Sequence, residues 1–130
     1  MKLSTRTLAA AALATATVLP VFAETQALDG RSFEGVFIQR GKTSGDPDTL
    51  IFKDGRFRSI ACDRYGYSDA TYKIGAAGDA TRFEAETESP KYGRLVWSGV
   101  IRGGKLDATA VMVRDGKSNI ENWVVAAEKN

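Results

Sequence analysis

The chain has no histidine among its 130 residues. That absence removes Ser-His-Asp and Cys-His triads, imidazole acid–base catalysis, and histidine-ligated zinc, copper or haem. One cysteine is present, Cys62, so no intramolecular disulfide can form, and a lone thiol without histidine cannot build a structural zinc site. Stability must then come from a core and from hydrogen-bond ladders. Also lacking are a sustained helical period beyond the first 23 residues, an internal repeat and any low-complexity stretch. No apolar run is long enough to cross a membrane as a helix. The longest, Leu8 to Leu19, is about a dozen residues where roughly 20 are needed.

That apolar run has another reading. Lys2 and Arg6 precede it, Pro20 ends it, and Val21-Phe22-Ala23 follows with small residues at the two positions that signal peptidase reads. These are the three parts of a secretory signal peptide, so residues 1–23 are expected to be a helical export signal cleaved after Ala23, with Ala27 as an alternative site. The short Ala-rich style and the lack of a lipoprotein cysteine point to the periplasm, or to secretion. Residues 24–130 then form a single domain of 107 residues, enough for one core.

Charge excess disappears with the signal. Removing Lys2 and Arg6 from 18 basic residues leaves 16, matched by 16 acidic ones. A neutral mature chain lacks the cationic excess that nucleic-acid binding requires.

What remains is dense in strand signals. Asp29-Gly30, Asp54-Gly55, Gly75 to Gly78, Gly103-Gly104 and Asp115-Gly116 are turn pairs, because glycine supplies the positive φ of tight hairpins. Between them lie eight runs rich in Val, Ile, Thr, Phe, Tyr and Trp, predicted as strands over 33–39, 49–53, 56–61, 70–74, 81–87, 93–102, 105–114 and 120–127. Leu95, Trp97, Gly99 and Ile101 share one face, as do Leu106, Ala108, Ala110 and Met112. The last strand is ambiguous, since Trp123, Val125 and Ala127 oppose Val124 and Ala126. One apolar and one polar face per strand predicts an all-β fold: an antiparallel up-and-down barrel of about eight strands, closed because closure removes exposed edges. Val36, Ile38, Val111 and Val113 make two strands apolar on both sides, which suggests a covered outer surface, such as a weak homodimer.

Leu28-Asp29-Gly30-Arg31-Ser32-Phe33-Glu34-Gly35 resembles the opening of lipocalin-type (calycin-like) barrels, in which a Leu-x-Gly segment leads into the first strand and an aromatic plugs the floor. Phe33 stands where that family usually has tryptophan. The meander layout and the near-terminal Trp123 strand are similar too. The stretches 45–50 and 61–67 look similar to small secreted bacterial proteins. The family's helix after the barrel and its second, Thr-Asp-Tyr-like signature have no counterpart here. The resemblance implies an eight-stranded barrel and a transport role for a small ligand.

Several residues are candidates for chemistry. Cys62 is either a reactive thiol, its pKa lowered by Arg64 and Arg58, or a small inert hydrophobe. Tyr65-Gly66-Tyr67, with Asp63 and Asp69, forms a loop at one barrel mouth, serving as ligand contact or as a packed lid. Asp46-Pro47-Asp48 reads as a turn rather than a calcium loop, because six or more oxygens are needed and no pattern supplies them. Glu84, Glu86 and Glu88 alternate with Arg82 on a polar, outward face, which removes them as a hydrolytic carboxylate pair. Phe37, Phe57, Tyr72, Phe83, Trp97 and Trp123, if all inward, either fill the barrel or leave a pocket opposite Gly35, Gly99, Ala85, Ala108 and Ala110. The leading expectation is a non-enzymatic binding barrel, without cofactor or metal, that holds a small apolar or aromatic ligand among Phe57, Tyr72, Trp97 and Trp123, near Tyr65 and Tyr67. The alternative is a cell-envelope protein-interaction or enzyme-inhibitor module acting through its surface and loops.

Overall fold

The computed structural model describes Ala23, Glu24 and residues 27–130. Apart from Ala23, the expected signal segment lies outside the described residues.

Nine strands follow the turn punctuation: β1 (Ala23–Glu24), β2 (Ser32–Gln39), β3 (Asp46–Lys53), β4 (Arg56–Ser59), β5 (Ala70–Ala77), β6 (Ala80–Ser89), β7 (Gly93–Arg102), β8 (Lys105–Val113) and β9 (Ile120–Glu128). Between β4 and β5 lies a 3-10 helix, Ile60–Tyr65, where sequence reading continues the strand to Ala61 and then places a loop. All pairings are antiparallel. β2 through β9 each pair with the next, and β9 returns to β2 through Phe33↔Glu128 to Gln39↔Asn122. The result is a closed eight-stranded up-and-down barrel. Its thinnest seam is β4–β5, joined only through Arg56↔Thr71 and Phe57↔Ala70. Farther along β5, Ile74 and Lys73 pair with Ala23 and Glu24 of β1.

Hairpins divide the two ends. At one end, Asp54 (φ 53°) and Gly55 (φ 72°) both adopt the left-handed region, as a two-residue turn between β3 and β4 requires. The same end is plugged by the segment before β2. Leu28 is buried there, and both carboxylate oxygens of Asp29 accept the Gly55 N–H at 3.0 Å. Asp29 also accepts the Tyr72 hydroxyl at 2.6 Å. Arg31 bridges the β2–β9 seam. Its guanidinium donates twice to Glu128 (3.0 and 2.6 Å) and lies 5.3 Å from the centre of the Phe33 ring.

Inside, the aromatics stack toward the middle of the barrel. Phe52 lies at its centre, with ring centroids 6.1 Å from Phe33, 5.3 Å from Phe57, 5.1 Å from Tyr72 and 5.1 Å from Phe83. Phe57 continues to Trp97 at 4.8 Å, and Trp97 to Phe37 at 5.9 Å. Phe33, Phe52, Phe57, Phe83 and Trp97 have no exposed surface. These tilted and edge-on contacts are the geometry aromatic quadrupoles favour.

The small residues do not open a void opposite the rings. A β-carbon added to Gly99 would stand 2.5 Å from Phe83 Cε1 and 2.8 Å from Ala108 Cβ, so the Phe83 ring occupies that space. A β-carbon on Gly35 would stand 1.9 Å from the Val125 carbonyl oxygen, so there the β9 backbone itself takes the room. At both positions the space inside the plugged half is taken.

Candidate functional site

The sequence grouped four aromatics as pocket walls, and the structure separates them. Phe57, Tyr72 and Trp97 are buried core residues of the plugged half, packed in the ring stack. Trp123 points outward and is 46 % exposed, next to Val125 at 61 %. The reason is register: Trp123 pairs with Ile38 and Thr109 on the outer face, while Asn122, Val124 and Ala126 of β9 turn inward. An interior site built on Trp123 is therefore corrected. Tyr65 and Tyr67 are in a different position, at the open mouth.

That mouth holds a hollow of about 440 Å³. Its apolar wall comes from the mouth-proximal ends of four strands: Phe37 of β2, Leu95 of β7, Met112 of β8 and Ile120 of β9. Tyr65, Tyr67 and Cys62 line it from the 3-10 segment, and Tyr92 from the β6–β7 turn. Asn122 adds a buried amide, whose nitrogen donates to the Ala110 carbonyl at 3.0 Å. Strand ends lining an open mouth above a filled core is the arrangement in which a small barrel has room for a ligand.

The 3-10 segment is held over this mouth by specific bonds. Asp48 is buried on β3, facing the same way as Leu50 and Phe52 because strand side chains alternate. Its carboxylate accepts the Ser59 hydroxyl at 2.6 Å and the Ala61 N–H at 2.9 Å, so it satisfies the start of the helix. Burial raises the Asp48 pKa above the ordinary aspartate range, opposed by these donors. At the other end, Gly66 (φ 83°) turns the chain so that Tyr67 enters the mouth, with the Gly66 N–H donating to the Asp63 carbonyl at 3.0 Å. Ser89 of β6 donates to the Tyr65 carbonyl at 2.7 Å and clamps the loop to the barrel. Tyr65 and Tyr92 meet edge to face at 5.7 Å, which ties the loop to the β6–β7 turn. The Tyr67 hydroxyl is fully buried and has no hydrogen-bond partner among the described residues. Burial raises its pKa, so it stays protonated as a donor.

Cys62 is the buried residue of this segment, and its thiol is pushed up from 9.0 to about 11, mainly by burial, with the charges of Asp48 and Asp63 adding to it and a Ser59 hydrogen bond and Arg64 opposing it. The two arginines expected to activate it are engaged elsewhere: Arg58 pairs with Asp63, and Arg64 with Asp46 at 2.8 Å. At neutral pH the group is a thiol, and the thiolate is the nucleophile.

The sequence missed Phe37, Leu95, Met112, Ile120 and Asn122 as mouth residues, and Asp48 as an inward carboxylate. No group of three or more acidic or cysteine side chains placed to hold a metal ion occurs among the described residues. Among the described residues no helix is long and apolar enough to cross a membrane. The chain matches no family model, no curated protein and no solved structure.

Proposed function

We propose that this chain is a non-enzymatic binding barrel, exported to the periplasm or secreted, that takes a small apolar or aromatic molecule into its open mouth. One observation carries the reading: a hollow of about 440 Å³, with an apolar wall and a polar rim of Lys42, Ser44 and Asp46, sits above a packed aromatic core, and its size falls within the roughly 300–1,000 Å³ range of small-molecule sites. Phe37, Leu95, Met112 and Ile120 supply the apolar wall, and the Tyr65–Tyr67 loop forms the rim. The lipocalin-like layout, with a closed eight-stranded meander and a plugged floor, supports the same role. Catalysis is not part of the proposal: in the mouth Cys62 is a protonated thiol, Tyr67 a protonated phenol, and the carboxylate on the rim, Asp46, is paired with Arg64 at 2.8 Å.

The test is native mass spectrometry of the protein purified from the periplasm of an expressing cell. A retained small mass, lost on substitution Met112→Trp, is the expected result. A clean mass of the unliganded chain under conditions that preserve other barrel complexes would contradict it.

The outer face favours a second reading. Val36 (40 % exposed), Trp123 and Val125 are neighbours across β2 and β9, with Ile38 opposite Trp123. An exposed apolar patch of this kind is the usual mark of a protein partner. Sedimentation of the wild type beside Trp123→Ser separates the two readings: loss of an assembly in the variant would favour an interaction module of the cell envelope.

A further inference from the structure

The mouth holds two polar groups that the fold leaves without a full set of partners. Tyr67 is 6 % exposed, and its hydroxyl is the one side-chain N or O atom among the described residues that is both buried and unbonded. A buried donor without an acceptor costs free energy, and water does not reach this one to take the acceptor's place. Asn122 of β9 lines the same hollow and is 4 % exposed. Its amide nitrogen donates to the Ala110 carbonyl at 3.0 Å, while its oxygen accepts no hydrogen bond among the described residues. That oxygen is not sealed in as the Tyr67 hydroxyl is, so it stands open to the hollow that the residue lines. Around the pair the wall is apolar: Phe37, Leu95, Met112 and Ile120. The hollow therefore offers one spare donor and one spare acceptor, both uncharged, on two different walls.

We propose that the ligand is a neutral carboxamide, its carbonyl oxygen accepting the Tyr67 O–H and its N–H donating to the Asn122 side-chain oxygen. This inference rests on the mouth being the binding site and adds the polar chemistry that selects the ligand. A carboxamide carries its acceptor and its donors on separate atoms, which suits two partners on separate walls. Tyr67 follows Gly66 (φ 83°) in the rim loop, and no hydrogen bond holds its hydroxyl, so a tilt of the ring brings the O–H to a group seated in the hollow. A carboxylate fits poorly, because it has no proton for the Asn122 oxygen and its charge would lose water against an apolar wall. A hydrocarbon leaves both groups unsatisfied.

The experiment is a two-dimensional NMR titration with benzamide, benzoate and toluene, which share one ring and differ in the polar group. Benzamide is expected to bind at least about tenfold more tightly than either of the others, the factor that two modest net hydrogen bonds supply. In Tyr67→Phe its margin over toluene falls to about threefold or less, while toluene affinity is unchanged. The urea midpoint of the ligand-free variant is expected at or above that of the wild type, because an orphan hydroxyl stabilises nothing. A clear fall in that midpoint would mean that the hydroxyl has a partner within the protein, and would overturn the inference. So would toluene or benzoate matching benzamide at the mouth, or a margin that survives Tyr67→Phe; in each of these cases the mouth reading stands. If none of the three molecules shifts the mouth residues, the mouth reading itself is overturned.

Discussion

Gly99→Ala is a test of how the barrel is filled. In a strand with free space, alanine for glycine gains about 0.5–1 kcal/mol by lowering the entropy of the unfolded chain and filling a gap. At Gly99 the new methyl would meet Phe83 Cε1 at 2.5 Å, Ala108 Cβ at 2.8 Å and the Asp107 carbonyl oxygen at 2.9 Å. Phe83 cannot swing away, since its ring is also held against Phe52 at 5.1 Å and Phe57 at 5.5 Å. Overpacking of this kind costs about 1–3 kcal/mol, so a net loss of about 1 kcal/mol is expected once the entropy gain is deducted. In thermal unfolding of a domain this size the loss corresponds to a fall of roughly 4–8 °C. Urea unfolding followed by the fluorescence of buried Trp97 measures the same quantity. A neutral or stabilising Gly99→Ala would show that the plugged half contains usable space, and the assignment of the ligand site to the mouth would lose its main support.

Other consequences concern titrating groups. Cys62 should not react with a disulfide reagent in the native protein at neutral pH and should react fully in denaturant; rapid native labelling would contradict a buried thiol. Its folded pKa lies above the ordinary 9.0, so the stability it contributes is present below that value and is lost as pH rises toward about 11. Asp48 has the same sign, because burial raises it: relative to Asp48→Asn, the wild type should lose stability as pH rises from about 4 to about 7, which urea midpoints at the two pH values would show. At the plugged end, Tyr72→Phe removes the hydroxyl that Asp29 accepts and should cost roughly 1–3 kcal/mol in urea unfolding, whereas an unchanged midpoint would mean that the Leu28–Gly30 plug is held by apolar contact alone.

Strand positions were legible because two signals agreed: alternation of apolar residues and glycine pairs with positive φ. β7 spans the same residues, 93–102, in both readings. β9 shows where that logic fails. Trp123, Val124, Val125 and Ala126 are apolar on both sides, so alternation cannot choose a face, and only pairing with Ile38 and Thr109 puts Trp123 outside. The 3-10 helix Ile60–Tyr65 is six residues, too short for a helical period to register. Asp48 did carry a signal, since it stands in period with Leu50 and Phe52; an adjacent proline and Asp46 made a turn the simpler reading. The mouth was hidden for a different reason. Phe37, Leu95, Met112 and Ile120 have the same sequence pattern as core positions, and what distinguishes them is their height along the barrel, which depends on register. Likewise the volume left opposite Gly35 and Gly99 depends on which ring, or which backbone, comes to fill it.

The most direct test of the mouth as the binding site is a two-dimensional NMR titration of the folded protein with decanol. Shifts are expected at the mouth alone, at Phe37, Tyr67, Leu95, Met112 and Ile120, with Phe33, Phe52 and Phe83 in the plugged half unmoved. Shifts centred on the outer face at Trp123 and Val125, or on the plugged-half aromatics, would contradict the mouth as the binding site.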